Sequence, residues 1–351
     1  MSVSWSCLKG AKILDLSQLL PGPHATSMLR DMGADIVKVE PPDGGDSLRT
    51  FAPALFETLN RGKRIVTLDL KTSAGRAELL SLVETADALV EGFRPGVMSR
   101  FGLDHAELAR FNPAIVTCSI SGFGQWGPYA ARPGHDLNFL ALGGYWAIPS
   151  AMDEDVSRPR LRVADFAASS YAAFSLAVAI MSARESGMGQ HLDVSIHECL
   201  TAWTAPFASM MIDRQGAPAA PPAVRAENGL YRTADGRHIA LGILENKFWC
   251  HFVGAVKAHA PLLADARYAT VDGRQRHRTA LHELLTRTFA AAPLARWIEL
   301  LSGADVPLTP VLDASELFAD AHLNARRMFT DADDGADIRF PVLFSLSNTS
   351  L

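Results

Sequence analysis

His135 and Asp165 are the side chains in this sequence that most invite a chemical reading. They stand in Gly134-His135-Asp136-Leu137-Asn138-Phe139 and in Val163-Ala164-Asp165-Phe166. An imidazole and a separate carboxylate supply two proton-transfer groups, one for each face of a carbon acid. Inversion or exchange of an acidic C–H needs that arrangement, because each base abstracts on its own side. Charge then builds on the neighbouring carbonyl oxygen and needs a donor. The segment from Asp136 reads as a helix start, whose free N–H groups suit that oxygen. Plainer readings stand beside these. The chain has 11 histidines, and most histidines are structural. Asp136 and Asp165 each fit a helix N-cap as well.

Those side chains need a frame, and the first half of the chain supplies an α/β rhythm. Lys12 to Leu16, Asp35 to Val39, Arg64 to Leu70, Ala86 to Val90 and Ala114 to Ser121 read as strands. Gly22 to Met32 reads as a helix, and Thr72 or Ser73 caps another whose apolar stripe is Leu79, Leu80, Leu82 and Val83. Buried strands separated by helix-length segments imply βαβ units and a mostly parallel sheet. Phe166 to Ser182 is a long helix of Ala, Ser and Leu, buried in its domain or at a subunit contact. The Pro- and Ala-rich stretch Pro206 to Pro222 breaks the rhythm and reads as a linker. Beyond it, Gly229 to Gly242 is a hairpin turned by Asp235-Gly236, and helices follow at Asn246–Lys257, Thr279–Ala290 and Pro293–Ser302. This second body is a smaller α+β domain.

Composition removes several function classes. The chain has 351 residues, 48% hydrophobic and 20% charged, which suits two globular bodies. A net charge of −5 gives no reason to expect a nucleic-acid partner. Cys7, Cys118, Cys199 and Cys250 form no Cys-x-x-Cys pair, so no zinc or redox motif is expected and a reducing cytoplasm fits. Neither a signal peptide nor a run of about eighteen apolar residues is present. Thr349-Ser350-Leu351 lacks the basic middle residue of a peroxisomal ending. Gly122-Phe-Gly124-Gln-Trp-Gly127 matches G-x-G-x-x-G, but Pro128 follows where a helix should open, which argues against a nicotinamide site.

Taken together, several segments resemble the family III coenzyme A transferases of the CaiB/BaiF type and, within that superfamily, the α-methylacyl-CoA racemases. They are Ile13-Leu-Asp-Leu-Ser17 with Pro21-Gly22-Pro23, Met32-Gly33-Ala34-Asp35 through Lys38-Val-Glu40-Pro41, and Asn60-Arg61-Gly62-Lys63-Arg64. Glu91-Gly-Phe-Arg94-Pro-Gly-Val97, Ser121-Gly-Phe-Gly124-Gln125, Gly189-Gln190 and Val306-Pro307 extend the match over nearly the whole chain. His135 with Asn138 and Phe139 is similar to the racemase form, and Asp165 and Glu245 match two further racemase carboxylates. Leu161 stands where an asparagine is common in that subgroup.

The resemblance implies a racemase or epimerase of 2-methyl-branched acyl-CoA thioesters, working through an enolate. His135 and Asp165 would be the bases, Glu245 would hold His135, and Asp136 would serve mainly as a cap. The alternative is a CoA-transferase with Asp136 as nucleophile, forming a mixed anhydride. Lys38, Arg61, Lys63, Arg64 and Arg94, with Gly134, would bind coenzyme A, although the basic residues also fit a solvated face. No metal, and no cofactor beyond the substrate's own coenzyme A, is implied. The implied architecture is a Rossmann-like large domain (1–195, with a return at 320–351), a linker (196–225) and a small domain (226–319). Two such chains would form an interlocked homodimer in the cytoplasm, with an acyl-CoA as the other partner and no membrane contact.

Overall fold

The strand-and-helix rhythm becomes a six-stranded sheet in a computed structural model that describes residues 6–148, 157–212, 216, 224–332 and 335–343. The strands are β1 (Lys12–Asp15), β2 (Asp35–Glu40), β3 (Arg64–Thr67), β4 (Ala88–Glu91), β5 (Val116–Ser121) and β6 (His191–Ser195). Their order is β3-β2-β1-β4-β5-β6, and every neighbouring pair is parallel. A parallel sheet is covered on both faces, which is why β4 and β5 are buried along their whole length.

Helix α1 (Pro21–Asp31) follows β1, and α2 (Ser73–Val83) follows β3. The cap of α2 is Thr72, whose hydroxyl accepts from Gly75 N at 3.0 Å. Helix α3 (Asp136–Leu142) is short, whereas α4 (Val163–Ser186) runs 24 residues. One face of α4 is built from Ala164, Ala168, Ala172 and Leu176, which are fully buried in the core with Ile13, Ala25 and Val116. Small side chains let it lie close to α1 and β5. Among the described residues α4 alone has the length and hydropathy to cross a membrane, but half of its apolar window is buried inside the protein, as expected of a core helix.

The chain divides into two compact units. The first holds residues 1–146, 158–207 and 323–351 and contains the parallel sheet. Residues 196–225, read from the sequence as linker, open with α5 (Ile196–Ala208), whose Leu200 and Thr204 are buried. Pro206 lies in its last turn, where it removes one i→i−4 hydrogen bond close to the helix end. The second unit takes residues 147–157 and 208–322. Its antiparallel sheet joins β7 (Asn228–Arg232), β8 (His238–Gly242) and β9 (Leu308–Pro310). Gly236 at φ 79° turns the hairpin. Helices α6 (Asn246–Val256), α7 (Arg278–Ala290) and α8 (Leu294–Leu301) pack on a core of Tyr231, Trp249, Phe252, Phe289 and Trp297. Near the C-terminus, β10 (Phe329–Ala332) and β11 (Gly335–Ile338) pair antiparallel. The ending Thr349–Leu351 and most of the Pro/Ala-rich stretch lie outside the described residues.

Candidate active site

In an open parallel sheet, ligands bind beyond the carboxyl ends of the strands where the strand order reverses. Here that point lies between β1 and β4, and a cavity of about 570 Å³ opens there. The size suits a substrate or cofactor fragment. The loop after β1 contributes Ser17, Gln18 and Leu19, and the loop after β4 contributes Gly92 to Pro95. Across from them stand Arg132 to His135, Asn138 and Asp165.

Buried charge fixes the first loop. Lys63 Nζ lies 3.0 Å from Asp15 Oδ2 and also bonds Thr26 Oγ1, Asn60 Oδ1 and the Pro23 carbonyl. Burial opposes the Asp15 charge, but Lys63, Lys38 and the Ser17 and Thr26 hydroxyls outweigh it and hold the carboxyl well below its usual range. Lys38 Nζ lies 3.2 Å from Asp46 and donates to the Ser17 carbonyl at 2.8 Å. Asp46 accepts from Leu19 N at 3.2 Å, and Leu19 sits at φ 65°, a conformation costly for a branched side chain. The Lys38–Asp46 pair therefore pins a strained residue on the cavity wall.

The second loop is held from beneath by Glu91, 4% exposed, whose Oε2 accepts from Phe93 N at 2.6 Å. Burial raises the Glu91 carboxyl to about 6, against hydrogen bonds from Ser119 and Phe93.

The two aspartates have separate tasks. Asp136 is buried, and its Oδ1 accepts from Ala164 N at 2.8 Å and Asp165 N at 3.3 Å. These are free N–H groups in the first turn of α4, whose own N-cap Arg162 makes no side-chain cap bond. Asp136 thus caps a helix that begins 27 residues later in the chain. Asp165 belongs to that first turn and faces the cavity. Burial, and then the nearby Asp136 charge, push its carboxyl up to about 7, with Arg162 opposing. His135 is the exposed N-cap of α3, and its N–H donates to Asn138 Oδ1 at 3.0 Å. The two groups that the sequence singled out, His135 and Asp165, do line one cavity.

Other sequence candidates scatter. Lys38 and Lys63 lie in the ion pairs beneath the loop rather than on the cavity wall. Arg64 is exposed on the edge strand β3, Arg61 is half-buried, and Arg94 lines the cavity. Gly134 lies where a Cβ would come 2.8 Å from the Phe139 ring. Glu245 is exposed at the N-cap of α6, in the second unit. Arg132, which the sequence reading did not single out, also lines the cavity; its place in a Pro- and Gly-containing loop between Tyr129 and Pro133 was the available signal.

A family model for CoA-transferase family III matches residues 8–350. The chain belongs to that family. It is 31% identical to succinate–glutarate CoA-transferase of Agrobacterium fabrum, over 96% of this chain and 89% of the relative. Acetyl-CoA:oxalate CoA-transferase of Acetobacter aceti is 32% identical, over 91% and 84%. A CAIB/BAIF family protein from Brucella suis has a similar crystal structure, with a TM-score of 0.86 and 29% identity over 97% and 93%. As a family III member the chain is an enzyme of acyl-CoA chemistry, and the relatives' names favour transfer over the racemisation that the sequence motifs suggested.

Proposed function

We propose that this enzyme transfers coenzyme A from an acyl-CoA thioester to a free carboxylic acid, with Asp165 as the nucleophile. The carrying observation is that Asp165 is the carboxylate on the cavity wall, whereas Asp136, the nucleophile of the transferase alternative read from sequence, is buried and engaged with α4. The names of the relatives support the reaction type.

The Asp165 carboxylate attacks the thioester carbonyl, the C–S bond breaks, and CoA leaves as thiolate. A mixed anhydride joins Asp165 to the acyl group. The thiolate then attacks the aspartyl carbonyl, releasing the first acid and leaving CoA on Asp165 as a thioester. An incoming carboxylate repeats the sequence in reverse and departs with CoA. Every bond is exchanged, so no oxidant, metal or further cofactor enters the balance. A carboxylate with its acidity weakened toward neutrality is a better nucleophile than an ordinary one. Arg94 on the wall is proposed to hold the CoA phosphates.

The companion proposals are a homodimer and a cytoplasmic location. On α4, Tyr171, Phe174, Val178 and Met181 form an exposed apolar stripe, with Phe174 at 70%, which favours a second copy of the chain.

The racemase reading keeps one observation of its own, since His135 and Asp165 share the cavity. Incubation of a chiral 2-methylacyl-CoA in deuterated water separates the two. Transfer predicts new thioesters only when a free acid is added, with no deuterium at the α carbon. Deuterium uptake without an acceptor acid would establish racemisation instead.

A further inference from the structure

Arg132 stands on the same cavity as Asp165 but on a different loop from Arg94. Its guanidinium carbon lies 5.2 Å from the centre of the Tyr129 ring, and its backbone N–H donates to the Tyr129 carbonyl at 2.8 Å. Tyr129 meets Phe123 edge-on at 5.5 Å, and Phe123 meets Phe139 edge-on at 5.2 Å. Phe139 is buried in α3, the helix capped by His135. A stack of four side chains thus ties a surface guanidinium to the helix at the reacting end of the cavity. Stacking on a ring face leaves the N–H edges of the guanidinium open, and those edges match a carboxylate in two parallel hydrogen bonds. Among the described residues, Arg132 and Arg94 have no carboxylate within ion-pair distance, and Asp165 is the one acid on the cavity wall. The cavity therefore offers more positive charge than its own walls neutralise.

We propose that Arg132 binds the far carboxylate of a dicarboxylic acid whose near carboxylate exchanges coenzyme A at Asp165. The inference rests on the transfer reaction above and names its acid class. An acid with one carboxylate leaves the guanidinium unpaired, so selection comes from a charge partner present in one acid and missing in the other.

The test is a competition between glutarate and pentanoate for CoA from a common succinyl-CoA pool, read as the ratio of the two new thioesters. In the exchange scheme both acids compete for the same Asp165-bound CoA, so the ratio does not depend on the donor. The wild type should favour glutarate by at least about 100-fold. Arg132→Gln should cut that preference by at least about 30-fold while changing the pentanoate rate by less than about threefold, and Arg132→Lys should restore part of it. An Arg132→Gln enzyme that slows on both acids alike, or that raises KM for the thioester with the product ratio unchanged, overturns the inference and leaves the transfer reaction standing. A wild type that passes CoA to neither acid overturns both.

Discussion

Asp136 and Asp165 differ in what their oxygens meet, the first a helix end and the second the cavity. Oδ1 of Asp136 accepts two N–H groups of α4, and its negative charge is one of the two causes that raise Asp165 to about 7, after burial. In the proposed transfer, attack requires the deprotonated Asp165. The rate of transfer, as kcat/KM for the thioester, should therefore rise with pH through about 7 and level off above it. Asp136→Asn keeps an acceptor oxygen and removes the like charge, so the inflection should move to lower pH. A profile that is flat from about pH 5 to 8, or one that shifts upward in the variant, would contradict this assignment.

Between residue and fold, the loops matter most. Lys63→Met leaves Asp15 buried and unpaired, and urea unfolding should show a loss of about 3–5 kcal/mol. Arg64→Ala, on the exposed edge of β3, should stay within about 0.5 kcal/mol. Equal effects would mean that the pair is not the anchor described. Gly134→Ala would press its Cβ on Phe139 at 2.8 Å, displacing α3. It should cost about 1–3 kcal/mol, and through a misplaced His135 end about 10- to 100-fold in transfer rate. Calorimetry and steady-state kinetics check the two halves separately. The sequence made the strands and the hairpin plain, because apolar runs and Asp235-Gly236 carry their own signal. It could not sort the basic residues Lys38, Lys63 and Arg64. They look alike in sequence, and only their partners decide which ammonium groups are buried: Asp46, in the loop after β2, for Lys38, and Asp15, on β1 of the same sheet, for Lys63.

For the whole molecule, the exposed stripe on α4 is the observation behind the proposed homodimer. Sedimentation should give twice 37.8 kDa, and Phe174→Glu, which places charge in that stripe, should yield monomer with transfer reduced at least about tenfold. A monomeric and fully active wild type would remove the dimer from the account. Of the candidate site, the sequence made legible that His135 and Asp165 belong together, and the two line one cavity. The division of roles between Asp136 and Asp165 was not legible, because an aspartate that caps a distant helix and one that faces a cavity are the same letter. The central claim is a covalent bond between Asp165 and coenzyme A. Intact enzyme incubated with an acyl-CoA and then reduced with borohydride should, on peptide mass analysis, carry a homoserine in place of Asp165. Reduction at Asp136, or an unmodified protein that has nonetheless moved CoA to an added acid, would contradict it.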